Sequence, residues 1–114
     1  MNTQARINQC LRLTSDGYRK DKNSIRLNTH NTKTHELAKC ALAYDLIKEG
    51  REVYTEVVFK NNKRADILVP ELFMVYEVLE SETEEECLSK TIFYPKELDI
   101  KMITTEEILN GIHF

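Results

Sequence analysis

The spacing of apolar and polar positions changes period several times along the chain, and those changes divide it into elements. Thr34 reads as a helix N-cap, with Glu36 in the first turn where the helix dipole favours an acid. Leu37, Cys40, Ala41, Tyr44 and Ile47 then recur at helical spacing, and Lys48-Glu49-Gly50 closes the helix with a glycine. Val53 to Phe59 reads as a strand, and Lys60-Asn61-Asn62-Lys63 as a tight turn, because asparagine tolerates the left-handed conformation. Arg64 to Val69 and Phe73 to Leu79 are two further runs rich in β-branched and aromatic residues, parted by Pro70-Glu71. Three consecutive antiparallel strands are expected. Ser81-Glu82-Thr83-Glu84 has the form of a capping box. It opens a second helix with Cys87, Leu88 and Ile92 inward, stopped by Pro95. Leu98 to Ile103 predicts a fourth strand, and residues 105–109 a short closing helix before Gly111.

Ahead of residue 34 the pattern is weak. Ile7, Cys10 and Leu11 have helical spacing, and turn signals at Asp16-Gly17, Asp21 and Asn23 break up the residues beyond them. A short helix or strand and then a turn-rich segment are expected.

The two strand acids are the sharpest feature. If Val69 and Met74 pair across the Pro70 turn, the same register sets Asp66 directly opposite Glu77, on one face. Like charges so placed repel unless a cation lies between them, and a hard divalent metal takes oxygen ligands. The plainer alternative is that both acids sit at the solvated end of a half-buried hairpin. With Asn61-Asn62 as a two-residue loop, Val57 falls opposite Asp66 and Glu56 points to the other face; a single bulge would reverse this.

Composition changes this picture in three ways. At 114 residues, 41% hydrophobic and 31% charged, the chain fits one soluble domain. No apolar run approaches bilayer length and no signal peptide opens the chain, so a cytoplasmic protein without membrane contact is expected. Cys10, Cys40 and Cys87 are odd in number and far apart, which indicates neither a disulfide framework nor a zinc site. The net charge of −3 is uneven: residues 1–39 carry eight Lys or Arg against three acids, and residues 40–114 carry eight against sixteen. A basic N-terminal extension over residues 1–33, with Arg19, Lys20, Lys22 and Arg26, is either a footprint for nucleic acid or a strap that neutralises its own domain. Lys60, Lys63 and Arg64 add a second basic group, either a solvated turn or a phosphate contact.

The succession over residues 34 to about 104, with an acid early in the first helix, Asp on the second strand and Glu on the third, resembles the PD-(D/E)XK nuclease superfamily. The matching pieces are Thr34-His35-Glu36-Leu37-Ala38-Lys39, Arg64-Ala65-Asp66-Ile67-Leu68-Val69 and Val75-Tyr76-Glu77-Val78-Leu79. Archaeal Holliday junction resolvases and small nucleases of archaeal viruses are similar in layout and size. The resemblance implies an α/β, restriction-endonuclease-like αβββαβ core over residues 34–114, with a mixed four-stranded sheet flanked by helices. It implies a nuclease hydrolysing phosphodiester bonds, with DNA the expected substrate. Asp66 and Glu77 would hold Mg²⁺ or Mn²⁺, and Glu36 would support it. Resolvase-like members work as dimers, so a homodimer is expected on the same ground.

One position departs from that pattern. The family places a lysine two residues after the Glu, and here Leu79 stands there. Leucine can neither hold a water nor stabilise a developing negative charge. Three readings stay open: Lys90, one turn before Tyr94 in a Lys-x-x-x-Tyr pair similar to the Gln-x-x-x-Tyr signature of the RecB-like branch, supplies the lysine; or the metal acts alone, with Glu80 or Ser81 orienting water; or catalysis is lost and the fold serves as a silent nucleic-acid-binding module. Lys90 is also placed for an ordinary surface ion pair with Glu86, and Glu36 for a plain dipole interaction. His30 and His35 read as loop and cap residues. A small protein-interaction domain, presenting the acidic second helix, is the rival from another class.

Overall fold

The computed structural model describes residues 2–111. Four strands, β1 (Tyr54–Val58), β2 (Arg64–Val69), β3 (Met74–Leu79) and β4 (Asp99–Thr104), form one sheet in the order β1-β2-β3-β4. The first two junctions are antiparallel and β3 pairs β4 in parallel, so the sheet is mixed. A parallel junction needs a crossover, and the segment carrying α3 (Glu84–Thr91) supplies it. α1 spans Thr3–Leu11, α2 Lys33–Lys48 and α4 Thr105–Leu109, and a 3-10 turn, Pro70–Leu72, joins β2 to β3. The chain is α/β, as expected; the last three residues of the expected core lie outside the described residues.

Side-chain alternation along the strands feeds two core clusters. Ile67, Val69 and Val78 pack with Leu42 and Leu46 of α2 and Ile108 of α4. Leu68 and Val75 pack with Cys10 of α1 and with Tyr18, Phe59, Tyr94 and Leu98. The weakly patterned N-terminus is thus part of the core. It also covers the outer edge of β1: the Ser15 amide donates to the Val58 carbonyl (2.7 Å) and the Asn23 amide to that of Val53 (2.8 Å). An uncovered edge strand offers itself to foreign strands, and this strap blocks it.

The expected elements are present with shifted boundaries. α2 is capped by Thr32, whose hydroxyl accepts from the His35 amide, rather than by Thr34. α3 is capped by Thr83 in a capping box with Glu86, two residues after the expected Ser81. The expected apolar stripe of α2 is corrected. Leu37 and Tyr44 are exposed, and the buried face is Glu36, Ala38, Lys39, Leu42, Ala43 and Leu46. Two charged members of that face read as polar in the pattern and displaced the stripe by about one position. On α3, Leu88 and Ile92 are exposed rather than inward, while Cys87 and Thr91 are buried. The helix turns its polar partners toward β3, because a buried acid there needs them.

The β1–β2 register also differs from expectation. Val58 pairs with Arg64 and Val57 with Ala65, so Glu56, and not Val57, stands across from Asp66. The loop accounts for the slip: the Phe59 amide donates to the Lys63 carbonyl (2.9 Å), which makes the loop three residues long, Lys60 to Asn62 with Asn62 at φ +67, instead of the expected two. Glu56 adopts φ +48, a left-handed conformation rare for a non-glycine residue. Beyond it the alternation inverts, since Tyr54, Val57 and Phe59 all enter the same cluster.

Candidate functional site

Asp66 and Glu77 are brought together as the register argument requires. The β2–β3 ladder runs through Val69–Met74, Leu68–Val75 and Ile67–Tyr76 and ends there, one step short of the two acids. From that point the carboxylates replace the ladder. The Asp66 amide donates to Glu77 Oε2 (2.9 Å), and the Val78 amide donates to Asp66 Oδ2 (2.8 Å). Each acid thereby satisfies a backbone donor on the opposite strand, which a buried strand end cannot leave unpaired. The solvated-hairpin alternative fails for Glu77, which is 1% exposed.

The side chains that bond Glu77 Oε1 come from α3 and the turn after it. Lys90 Nζ lies 3.2 Å from Glu77 Oε1 and 3.8 Å from Glu82, and the Tyr94 hydroxyl donates to the same Oε1 at 2.7 Å. Lys90 turns to these acids rather than to Glu86, its expected surface partner, because Glu86 caps the helix through the Thr83 amide. Burial raises the Glu77 carboxyl, with Asp66 adding to the effect against the opposing pull of Lys90. Partial burial works against the Lys90 charge, yet Glu77 and Glu82 hold its pKa above the ordinary value.

Glu36 does not reach the strand acids directly. Its Oε1 accepts from Lys39 Nζ (2.6 Å) and the Asn28 amide (2.6 Å). Its Oε2 meets the Asn31 amide group (3.2 Å) and His35 Nδ1 (2.8 Å). Burial opposes its charge, but Lys39, Asn28, His35 and Asn31 together hold the carboxyl down at about 2. His35, read from sequence as a cap residue, fills the space between. Its Nε2 is 3.5 Å from Asp66 Oδ2 and 3.1 Å from the Val78 carbonyl oxygen. The hydrogen bond to Asp66, against burial and aided by Glu36, raises the imidazole to about 9.

Lys39 has no role in the sequence reading, and the structure gives it one. Its ammonium is fully buried, bonded to Glu36, to Glu56 (3.2 Å) and to the Arg26 carbonyl (2.6 Å). A lysine three residues after a glutamate reads as helix surface, and only the tertiary placement of Glu56 makes it a core ion.

Asp66, His35, Lys90, Glu80 and Glu82 line a cleft of about 260 Å³. Glu80 also accepts from the Thr32 hydroxyl (2.5 Å), tying the start of α2 to the end of β3. No family model matches the chain, and neither a curated protein nor a solved structure gives a match. Among the described residues, no three His, Cys, Asp or Glu side chains stand together as a ready-made metal cage. His35 Nε2 stands 3.5 Å from Asp66 Oδ2 and 3.1 Å from the Val78 carbonyl oxygen, so this nitrogen faces two acceptors and acts as a donor to them.

The basic residues are dispersed. Arg19, Arg26 and Arg64 line a second cleft of about 500 Å³, while Lys20 and Lys60 line a separate hollow. Lys22 approaches Glu52 (4.0 Å), and Lys63 lies over the Phe93 ring (5.1 Å). Among the described residues, no helix is long and apolar enough to cross a membrane.

Proposed function

We propose that the chain is a divalent-metal-dependent nuclease of the PD-(D/E)XK type, acting on DNA, with Asp66 and Glu77 as the central acids. The observation that carries this reading is Lys90 Nζ at 3.2 Å from Glu77 Oε1: the lysine absent at position 79 arrives at the same carboxylate from α3. Mg²⁺ or Mn²⁺ would take oxygen donors from Asp66, which lines the cleft, and from Glu77 on the neighbouring strand, with the His35 imidazolium beside them as a hydrogen-bond donor. Such an ion would neutralise the acids and make water a better nucleophile at neutral pH. Glu36 then acts as a positioning residue, holding His35 through Nδ1 so that Nε2 faces Asp66. Lys90 orients the attacking water and offsets the negative charge that develops on the phosphate. The water oxygen bonds to phosphorus and one P–O bond to a sugar oxygen breaks. That oxygen leaves as a hydroxyl, with one proton from water, and the other proton goes to the phosphate or to solvent.

A second reading has its own support. Glu77 is satisfied by the Asp66 amide, Tyr94 and Lys90 with no metal at all, as a silent binding module on this fold would have it. A cleavage screen over linear, supercoiled, branched and single-stranded DNA with Mg²⁺ and Mn²⁺ separates the two. Cutting that is lost in Asp66→Ala and falls about 10²-fold or more in Lys90→Ala supports the nuclease. Binding without cutting of any substrate refutes it, and full activity in Lys90→Ala removes the lysine from the mechanism.

A further inference from the structure

The larger cleft, one strand over from Asp66, is not used by the chemistry above. Its floor is Glu56, whose carboxylate is buried and divided in its bonding. Oε2 faces Lys39 at 3.2 Å, whereas Oε1 accepts no hydrogen bond. A buried acceptor left unmatched is costly and calls for a partner. The nearest cation, the half-exposed Arg64 guanidinium, stands 3.7 Å off, beyond hydrogen-bond reach. The backbone at Glu56 is held at φ +48 in the middle of a strand, the kind of strain that collects at working positions. Around this acid the cleft is positive: Arg19, Arg26 and Arg64 share the lining with it. Arg26 is bound to Asp21 (3.0 Å) and stacks over Tyr18 (4.8 Å), which leaves Arg64 as the donor nearest the free oxygen.

We infer that this cleft takes the unpaired base of a nucleotide neighbouring the cut phosphate, and that the base is cytosine. This inference rests on the nuclease reading only for its position beside the cut. A cationic peptide is disfavoured by three arginines, whereas a base attached to phosphates suits them. With Oε2 occupied by Lys39, the site offers one acceptor, Glu56 Oε1, beside one guanidinium fork on Arg64. Cytosine presents the matching edge, a single amino donor at N4 followed by acceptors at N3 and O2. Guanine presents two adjacent donors and leaves one unmatched, thymine lacks the amino group, and adenine sets only one acceptor, N1, beside its amino group where cytosine offers two to the guanidinium fork. The base N–H takes the place beside Oε1 that Arg64 now approaches, while Arg64 donates to N3 and O2; Arg19, 83% exposed and paired with Asp21 at 2.6 Å, reaches a flanking phosphate by exchanging that carboxylate for it.

The test is fluorescence anisotropy of the full chain with labelled single-stranded oligonucleotides in EDTA, where no cleavage occurs. One set carries cytosine and the other 2-pyrimidinone, which is cytosine without its amino group. The cytosine oligonucleotide is expected to bind about tenfold more tightly. Glu56→Gln, checked for folding by circular dichroism, is expected to lose that preference while binding of a thymine oligonucleotide stays the same. Equal binding of the two oligonucleotides by the unaltered chain overturns the inference, whatever the variant does. So does a folded Glu56→Gln that keeps the preference. A cytosine preference in a chain that cuts nothing supports the cleft and refutes the nuclease; cutting without the preference does the reverse.

Discussion

Lys39→Met is the sharpest test of how the interior is held together. The ammonium is fully buried and neutralises Glu36 at 2.6 Å and Glu56 at 3.2 Å. Methionine keeps most of the volume and removes the charge, leaving two buried carboxylates facing each other across the gap. Removing one partner of a buried ion group costs about 3–5 kcal/mol. The carboxyl of Glu36 supplies a second figure. Held at about 2 against an ordinary 4.5, it contributes about 3 kcal/mol at neutral pH, of which Lys39 supplies a share together with Asn28, His35 and Asn31. A loss of about 3 kcal/mol is therefore expected, from a total of about 6–17 kcal/mol for a domain of this length. Urea unfolding followed by circular dichroism at pH 7 and pH 3 reads both size and sign. A carboxyl whose folded pKa is depressed gives stability that is present above 4.5 and lost as the pH falls toward 2. The parent thus loses about 2 kcal/mol of it by pH 3, and the variant less, so the gap between them narrows. Adding Glu36→Gln and Glu56→Gln to the variant is expected to recover much of the loss, because the stranded charges go with the lysine. A loss below about 1 kcal/mol at pH 7, or a gap that is the same at both pH values, refutes the reasoning.

Tyr94→Phe removes a hydroxyl that bonds both Glu77 Oε1 and the Arg64 carbonyl, and is expected to cost about 1–3 kcal/mol in urea unfolding; a neutral result would mean water replaces it without penalty. His35 is held at about 9 in the folded chain against 6.5 when unfolded, so its contribution is present below pH 6.5 and is lost as pH rises through 9. About 3 kcal/mol is the ceiling of that loss, and His35→Gln is expected to flatten the stability profile between pH 6.5 and 9. An unchanged profile in the variant would show that another group titrates there.

How far the sequence was legible depended on the range of each interaction. Element order and the Asp66–Glu77 juxtaposition came from local period and one turn, since the Val69–Met74 pairing carries the register through to the two acids three steps on, whereas the mixed sheet was an expectation of the resemblance. The α2 face was misplaced because Glu36 and Lys39 are core residues there, and nothing within one helix turn indicates that Glu56, seventeen positions on, will bury them. Glu56 itself stands opposite Asp66 because Phe59 closes on Lys63 around a three-residue loop with Asn62 left-handed, and a loop one residue longer shifts the register by one, a difference that Asn61-Asn62 alone does not announce. His35 is the one site residue with an unused local signal: a histidine beside the helix acid, in the first turn, at the end that meets the strand acids. The reach of Lys90 depended on α3 folding back over β3, which sequence spacing allowed without requiring.

The ammonium beside Glu77 can be supplied from position 79 instead of 90, and the structure sets the cost. Positions 77 and 79 lie two apart on β3, so their side chains point the same way with Cα atoms about 6–7 Å from one another. A lysine at 79 therefore reaches the Glu77 carboxylate. Leu79 is 3% exposed, however, and pairs with Thr104 at the β3–β4 junction, so Leu79→Lys alone buries a second ammonium beside a carboxylate already served by Lys90. That single change is expected to cost several kcal/mol, as buried, poorly paired charges do. In a Lys90→Ala background the new ammonium has Glu77 to itself. The double variant is accordingly expected to be at least about 1 kcal/mol more stable than the two single losses predict when added. If the chain is a nuclease, the same variant regains part of the cleavage that Lys90→Ala loses. Strict additivity in urea unfolding would mean that a lysine at 79 does not reach Glu77, and that the position of the ammonium, rather than its presence, separates this site from the pattern it resembles.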